Sequence, residues 1–293
     1  MYGELPRWES RGADGPTLRG RRVDGPRAIL HFLSGNGFCG GVYWPFLRRF
    51  LPDYGLFVHD IEGQGDSEAP ARFSGIGAVA RRVPRVLGEQ GLRDGRPPVG
   101  PLIGMGHSFG AALTLKVAAD NPGLFKALVL LDPIVFPGPV WLGARLMSAL
   151  GLHPMIRGAL RRRREWASRD EVLERLRGRG IYEGWTEEAL QCFADYATRD
   201  EGGARVLCCP PELEAEIYGR PVYPWPSFRK VEVPVLFLYG ASSYPFFPAA
   251  ERLARRHNPR IEGATSPGRH CFMLENPAAA HDAVAGFLRE LDL

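Results

Sequence analysis

The amino-acid sequence predicts an α/β fold: a doubly wound, mostly parallel sheet interrupted by a mostly helical insertion. Three observations carry that expectation. Short apolar runs at 28–33 (AILHFL), 55–60 (GLFVHD), 99–105 and 127–131 alternate with helix-length segments. Runs without polar alternation are what strands buried on both faces require, and the helices between them supply the right-handed crossovers of parallel strands. The alternation stops after Asp132-Pro133 and resumes only at 233–239. That leaves 134–230 as a segment too long for a plain loop. The flanks 1–133 and 231–293 are therefore expected to form one core domain, and 134–230 a helical cap.

Each element has a local reason. The run 28–33 stops at Ser34-Gly35-Asn36-Gly37, and 55–60 runs into Glu62-Gly63-Gln64-Gly65. A weaker helix is expected over 72–91, interrupted by Pro84. Strand 99–105 leads into Gly106, and the small-residue helix 108–120 ends at Asn121-Pro122. Within 134–230, helices are expected over 165–179 and 186–198, with Trp141, Trp166, Trp185 and Trp225 spread through the segment. After strand 233–239 come a helix over 248–256 and a last one with Asn276 as N-cap, Pro277 at its first position and Leu291 at its end.

Composition narrows the function classes. Of 293 residues, 45% are hydrophobic and 24% charged, as in globular proteins, and no apolar run approaches the roughly 18 residues of a membrane-spanning helix. The 37 basic and 33 acidic residues leave a net charge of +4, so no general field for nucleic acid or membrane is expected. The five cysteines (Cys39, Cys192, Cys208, Cys209, Cys271) are odd in number and contain no C-x-x-C pair, which speaks against a disulfide framework or structural zinc. No metal and no cofactor is expected. Glu4, Arg7, Glu9 and Arg11 break up the first residues, which hold no secretory apolar region, so the expected address is the cytoplasm.

The chemistry centres on Gly106-His107-Ser108-Phe109-Gly110, a G-x-S-x-G pattern. The pattern alone is weak, and an ordinary glycine-rich turn is the alternative. Its weight comes from the strand–turn–helix context. Such a turn strains the serine, tolerates only small residues such as Gly106 and Gly110 beside it, and aims the hydroxyl at helix N–H groups that favour negative charge. A serine nucleophile needs a base and a group to orient it. His270 fits the base, on a loop just ahead of Asn276-Pro277. His257 and His281 fall on helices, His31 and His59 in or at the ends of strands, and His153 in the insertion. For the acid, the loop at 240–248 after strand 233–239 has no carboxylate. Glu232 is at the wrong end of that strand and Glu251 already in the next helix. Asp132 ends the strand after the nucleophile helix, at the same carboxyl edge of the sheet, and Pro133 keeps it out of helical geometry. An aspartate that only starts a turn is the alternative. For an oxyanion hole, one donor is expected from the Phe109 N–H and another from the loop 34–38, with Asn36 the candidate and Gly37 next.

With these residues in place, the chain resembles an α/β-hydrolase with a cap domain over nearly its whole length. Asp60-Ile61-Glu62-Gly63-Gln64-Gly65-Asp66-Ser67 resembles the family's D-x-x-G-x-G-x-S turn, Gly106 to Gly110 its nucleophile elbow, and Arg269-His270 with Glu275 and Pro277 its histidine segment. Asn36-Gly37-Phe38, Asp132-Pro133 and Cys208-Cys209-Pro210-Pro211-Glu212-x-Glu214 resemble a bacterial and fungal branch of serine esterases and acyl-thioester hydrolases. That branch often places its acid after the strand following the elbow helix. The resemblance implies a cofactor-free serine hydrolase whose partner is a small apolar ester or thioester, with Ser108 as nucleophile. Ser34 stands where a histidine of an H-G motif is common, and Ser243 where the commoner acid would be. Other relatives cleave carbon–carbon bonds or lactones, act as perhydrolases, or serve as ligand receptors, and fold alone does not separate these. The cap tryptophans, with Phe136, Tyr182, Phe193 and Tyr196, are expected either to line an apolar pocket or to form the cap's own core. The run 161–164 (RRRR) is expected as a solvated helix face, with a clamp for an anionic group such as the phosphates of coenzyme A as alternative. Cys271 is expected to be a packing residue.

Overall fold

In the computed structural model, residues 1–12, 15–92 and 100–293 are described. The strands among them are β1 (Arg7–Ser10), β2 (Leu18–Val23), β3 (Ile29–Leu33), β4 (Gly55–Asp60), β5 (Leu102–His107), β6 (Ala127–Leu131), β7 (Glu165–Trp166), β8 (Thr198–Glu201), β9 (Ala204–Leu207), β10 (Val235–Gly240) and β11 (Ile261–Ser266). Eight of them form one sheet in the order β1-β2-β4-β3-β5-β6-β10-β11, parallel from β4 to β11 with β1 and β2 antiparallel at one edge. Strands β3 to β6 are buried at every position, because helices cover both faces. Each Leu, Ile or Val placed there contributes about 1.5–3 kcal/mol of hydrophobic stabilisation. The expected third strand begins at Val99, which lies outside the described residues.

The chain reverses direction across the sheet at β3, whose sequence successor β4 lies on one side and β5 on the other. Crevices at the carboxyl ends of strands form at such a point. Register aligns the ends: Leu33 pairs with Gly106, His107 with Leu131, and Leu131 with Leu238. The residues that follow, Ser34, Ser108, Asp132 and Gly240, therefore gather along one edge.

Helices flank the sheet at α1 (Ile76–Glu89) and α2 (Phe109–Asp120). The helix expected over 72–91 starts later, because the Phe73 and Ser74 N–H groups donate to the carboxylates of Glu216 and Glu62 and hold the chain out of helical geometry. Pro84 does not interrupt it: its ring packs on the buried face beside Val83, Val86 and Leu87.

Between β6 and β10, residues 134–230 form α3 (Gly138–Ala149), α4 (Pro154–Leu160), α5 (Arg169–Leu176), α6 (Glu187–Cys192), α7 (Pro211–Tyr218), α8 (Trp225–Lys230) and a small antiparallel sheet ordered β7-β9-β8. The segment is thus not helical throughout. Helix α5 begins only after Ser168, whose hydroxyl accepts from the Glu171 N–H, and α6 gives way to a π-turn and then β8. Gly202 and Gly203, both at positive φ, close the β8–β9 hairpin as a two-residue turn requires. The run 161–164 lies in the turn after α4 rather than on a helix face. Arg162, Arg163 and Arg164 pair there with Glu214, Glu171 and Glu212. The chain closes with α9 (Phe247–His257) and α10 (Pro277–Glu290). Among the described residues no helix is long and apolar enough to cross a membrane.

Candidate active site

Ser108 sits between β5 and α2 with φ 54°, a left-handed conformation that costs an ordinary residue of order 1–3 kcal/mol. The neighbouring glycines make the turn possible. A Cβ on Gly106 would lie 2.5 Å from the Gly110 carbonyl oxygen, and one on Gly110 would lie 2.3 Å from that of Leu33. The hydroxyl is 3.0 Å from His270 Nε2, and His270 Nδ1 is 2.7 Å from Asp132 Oδ2. With its proton on Nδ1, the imidazole donates to Asp132 and accepts from Ser108. Asp132 is fully buried and also left-handed, at φ 44°. Its Oδ1 accepts from the Gly240 N–H at 2.8 Å, and Oδ2 also accepts from the Ser243 hydroxyl. Sequence reasoning had no sign of that last contact.

The other sequence candidates separate cleanly. Glu251 bonds Arg255 within α9. His257 packs on Trp225, His281 on Phe50, and His31 pairs with His59 inside the sheet. Cys271 is buried, and its burial, reinforced by Asp132 and Glu275, pushes its thiol well above the ordinary range. Cys208 and Cys209 are likewise buried, which raises both thiols.

Asn36 and Phe109 face the cavity above Ser108. The Asn36 side-chain amide donates to the Glu214 carbonyl in α7, while its Oδ1 is buried without a partner among the described residues. Glu214 in turn pairs with Arg162, whose guanidinium also donates to the Tyr182 hydroxyl. The loop is braced where Ser34 replaces the more usual histidine. Ser34 Oγ donates to Gln64 Oε1 at 2.8 Å, and the Gln64 amide donates to the Gly35 carbonyl. Gln64 belongs to the turn that Asp60 and Ser67 close, Ser67 Oγ donating to the Asp60 carbonyl at 2.6 Å.

His107, an unspecified position of the elbow pattern, ties three loops together. Its Nε2–H donates to the His270 carbonyl at 2.8 Å, while Nδ1 accepts from the Tyr43 hydroxyl at 2.7 Å. The same hydroxyl accepts from the Gly35 N–H. Burial, then the nearby His270, holds the His107 ring well below the ordinary histidine range, so it stays neutral and can accept. Neither His107 nor Tyr43 carries a sequence signal for this role.

Over Ser108 lies a cavity of about 480 Å³, walled by Phe136, Met147, Ile217, Tyr218, Tyr244 and Phe246. None of the tryptophans lines it. Trp185 packs on Phe38, Tyr182 and Phe193, Trp225 on Phe228, and Trp141 on Tyr223. Of the cap aromatics singled out in the sequence, Phe136 alone reaches the cavity. His153 also does, while its Nδ1 caps α4 by accepting from the Met155 N–H.

Comparison with known proteins agrees with this architecture. The chain is 36% identical over 112 residues to the lipase LipV of Mycobacterium tuberculosis, covering 38% of this chain and 40% of that protein. It is 33% identical over 102 residues to a type I acyl-CoA thioesterase of Penicillium roqueforti, covering 34% of this chain and 22% of that one. The matches thus span less than half of either relative. Among solved structures, an E-2-(acetamidomethylene)succinate hydrolase superposes with a TM-score of 0.77 at 23% identity, over 97% of this chain and 100% of the other. Residues 31–283 match the alpha/beta hydrolase family, to which the chain therefore belongs.

Proposed function

We propose that the protein is a serine hydrolase cleaving a carboxylic ester or thioester of an apolar acid. The observation that carries this reading is the unbroken hydrogen-bonded line Asp132–His270–Ser108 ending in a mainly apolar cavity. His270 takes the Ser108 proton as Oγ attacks the carbonyl, and Asp132 holds the ring in the tautomer that can do so while stabilising the imidazolium. The tetrahedral oxyanion is received by the backbone N–H groups of Asn36 and Phe109. Collapse releases the alcohol or thiol, which takes the proton from His270 and leaves an acyl-enzyme. Water, deprotonated by the same imidazole, then releases the acid. The lipase and thioesterase relatives support ester or thioester substrates.

Residues 134–230 act in this reading as the cap that selects the acyl group. Helix α3 contributes Val140, Gly143, Ala144 and Met147 to the cavity wall, and a Cβ at Gly143 would meet open space. Gly143→Leu is therefore expected to fill the cavity without disturbing the core. Turnover of p-nitrophenyl esters of increasing chain length tests both halves of the proposal. Fluorophosphonate should label Ser108, and Gly143→Leu should lower kcat/KM for long acyl chains about tenfold while sparing acetate, the loss expected when one or two methylenes no longer fit. No labelling together with no turnover would refute the hydrolase reading. An unchanged chain-length profile would refute the cap's role.

A further inference from the structure

Helix α3 has two apolar faces. Val140, Gly143, Ala144 and Met147, at helical spacing, look into the cavity. Leu142, Leu146 and the following Leu150 look outward, 61%, 59% and 62% exposed, and no residue of the helix is buried. Leu152 and Leu160 continue the exposed patch towards and through α4. The patch runs into the cavity mouth, since Val140, Met147, Met155, Ile181 and Tyr244 both line the cavity and remain 37–42% exposed. Exposed large apolar side chains gathered at one cavity mouth mark a surface that another molecule covers.

Charge identifies the occupant. Residues 133–164 contain six arginines and no acidic residue. Arg162, Arg163 and Arg164 are paired with carboxylates elsewhere. Arg145, Arg157 and Arg161 are exposed and have no carboxylate partner among the described residues, Arg145 lying over the Trp141 ring. The net charge of +4 hides this local segregation. A second copy seated face to face would set arginine against arginine, which disfavours self-association. Exposed apolar side chains sharing a segment with exposed arginines that have no carboxylate partner among the described residues suit a layer with apolar tails and anionic headgroups.

We infer that the face made by α3, α4 and the turn between them docks on an anionic lipid surface. Leu142, Leu146 and Leu150 enter the apolar layer, Arg145, Arg157 and Arg161 meet headgroup phosphates, and the cavity mouth opens onto the layer. This departs from the expectation, drawn from net charge, that the chain has no membrane partner. Only the consequence, that substrate arrives from that layer, rests on the hydrolase reading.

Co-sedimentation with vesicles tests the docking without turnover, using the full chain as the Ser108→Ala protein so that vesicle lipid is not consumed. Binding to vesicles of phosphatidylcholine mixed with phosphatidylglycerol should exceed binding to phosphatidylcholine alone about tenfold or more, and should weaken with salt. The triple variant Leu142→Ser, Leu146→Ser, Leu150→Ser should lose that binding about tenfold or more. Placed in the active protein, the same three changes should leave turnover of a soluble short-chain ester unaltered, because none of these residues lines the cavity. Absence of vesicle binding, equal binding to both vesicle types, or full binding by the triple variant would each overturn the inference. So would a concentration-dependent dimer that the triple variant abolishes, which would assign the face to a second copy.

Discussion

The loops after β6 and β10 lie side by side, their strands paired at Leu131 and Leu238, yet they bring opposite chemistry to the site. The first carries a carboxylate, Asp132, in a strained left-handed conformation. The second carries none, and the Gly240 N–H at the end of β10 and the Ser243 hydroxyl in the loop itself are donors to that carboxylate. Both Ser243 and His270 address the same oxygen, Oδ2. The lesson is geometric. The imidazole meets a carboxylate oxygen at one point on the sheet edge, and the hydroxyl of the neighbouring loop reaches that same oxygen. Here the loop without the acid has become the bracket for it.

Four substitutions break or sharpen that contrast. Asp132→Asn keeps the shape and removes the charge, so ester turnover should fall about ten-thousandfold with little change in melting temperature. Adding Ser243→Asp to that variant moves the carboxylate to the other loop. It should recover about a hundredfold of the loss, because a hydrogen-bonding atom already reaches Oδ2 from position 243. Recovery below about threefold would mean that the two positions are not equivalent. Ser243→Ala alone removes one of three donors to Asp132, and about a tenfold loss in kcat with KM held is expected. Glu251→Gln should leave turnover unaltered, since that carboxylate bonds Arg255 and not His270. A larger loss in Glu251→Gln than in Ser243→Ala, at matched melting temperatures, would reverse the assignment of roles between the two groups.

The same contrast explains what the sequence can and cannot disclose. The strands buried at every position, β3 to β6, are mainly apolar runs followed within three residues by glycine or by Asp-Pro, so both their course and their carboxyl ends can be read from residue types. Ser108 and Asp132 follow from those ends and His270 from its place ahead of Asn276-Pro277, and the structure brings the three within hydrogen-bond reach. Edge strands are harder. β11 (IEGATS) is half exposed and polar, and β1 and β2 carry arginines, so neither pattern stands out as a strand. The β8–β9 hairpin did have a signal in Gly202-Gly203, masked by its charged flanks. The bracing residues are illegible for a different reason. Tyr43, Gln64, His107 and Ser243 act through partners distant in the chain, and nothing local to a tyrosine or glutamine says which loop it will hold.

The rate at which Ser108 reacts, freed from product release and substrate choice, reads the role of Asp132 most directly. Second-order rate constants for fluorophosphonate labelling, with the modified residue located by peptide mass spectrometry, measure it in the wild-type protein, Asp132→Asn and Ser243→Ala. Modification should fall on Ser108 in all three. It should proceed at least about a thousandfold more slowly in Asp132→Asn, and only about tenfold more slowly in Ser243→Ala. Labelling of Asp132→Asn at close to the wild-type rate, with its melting temperature unchanged, would mean that Asp132 is not the group that orients His270.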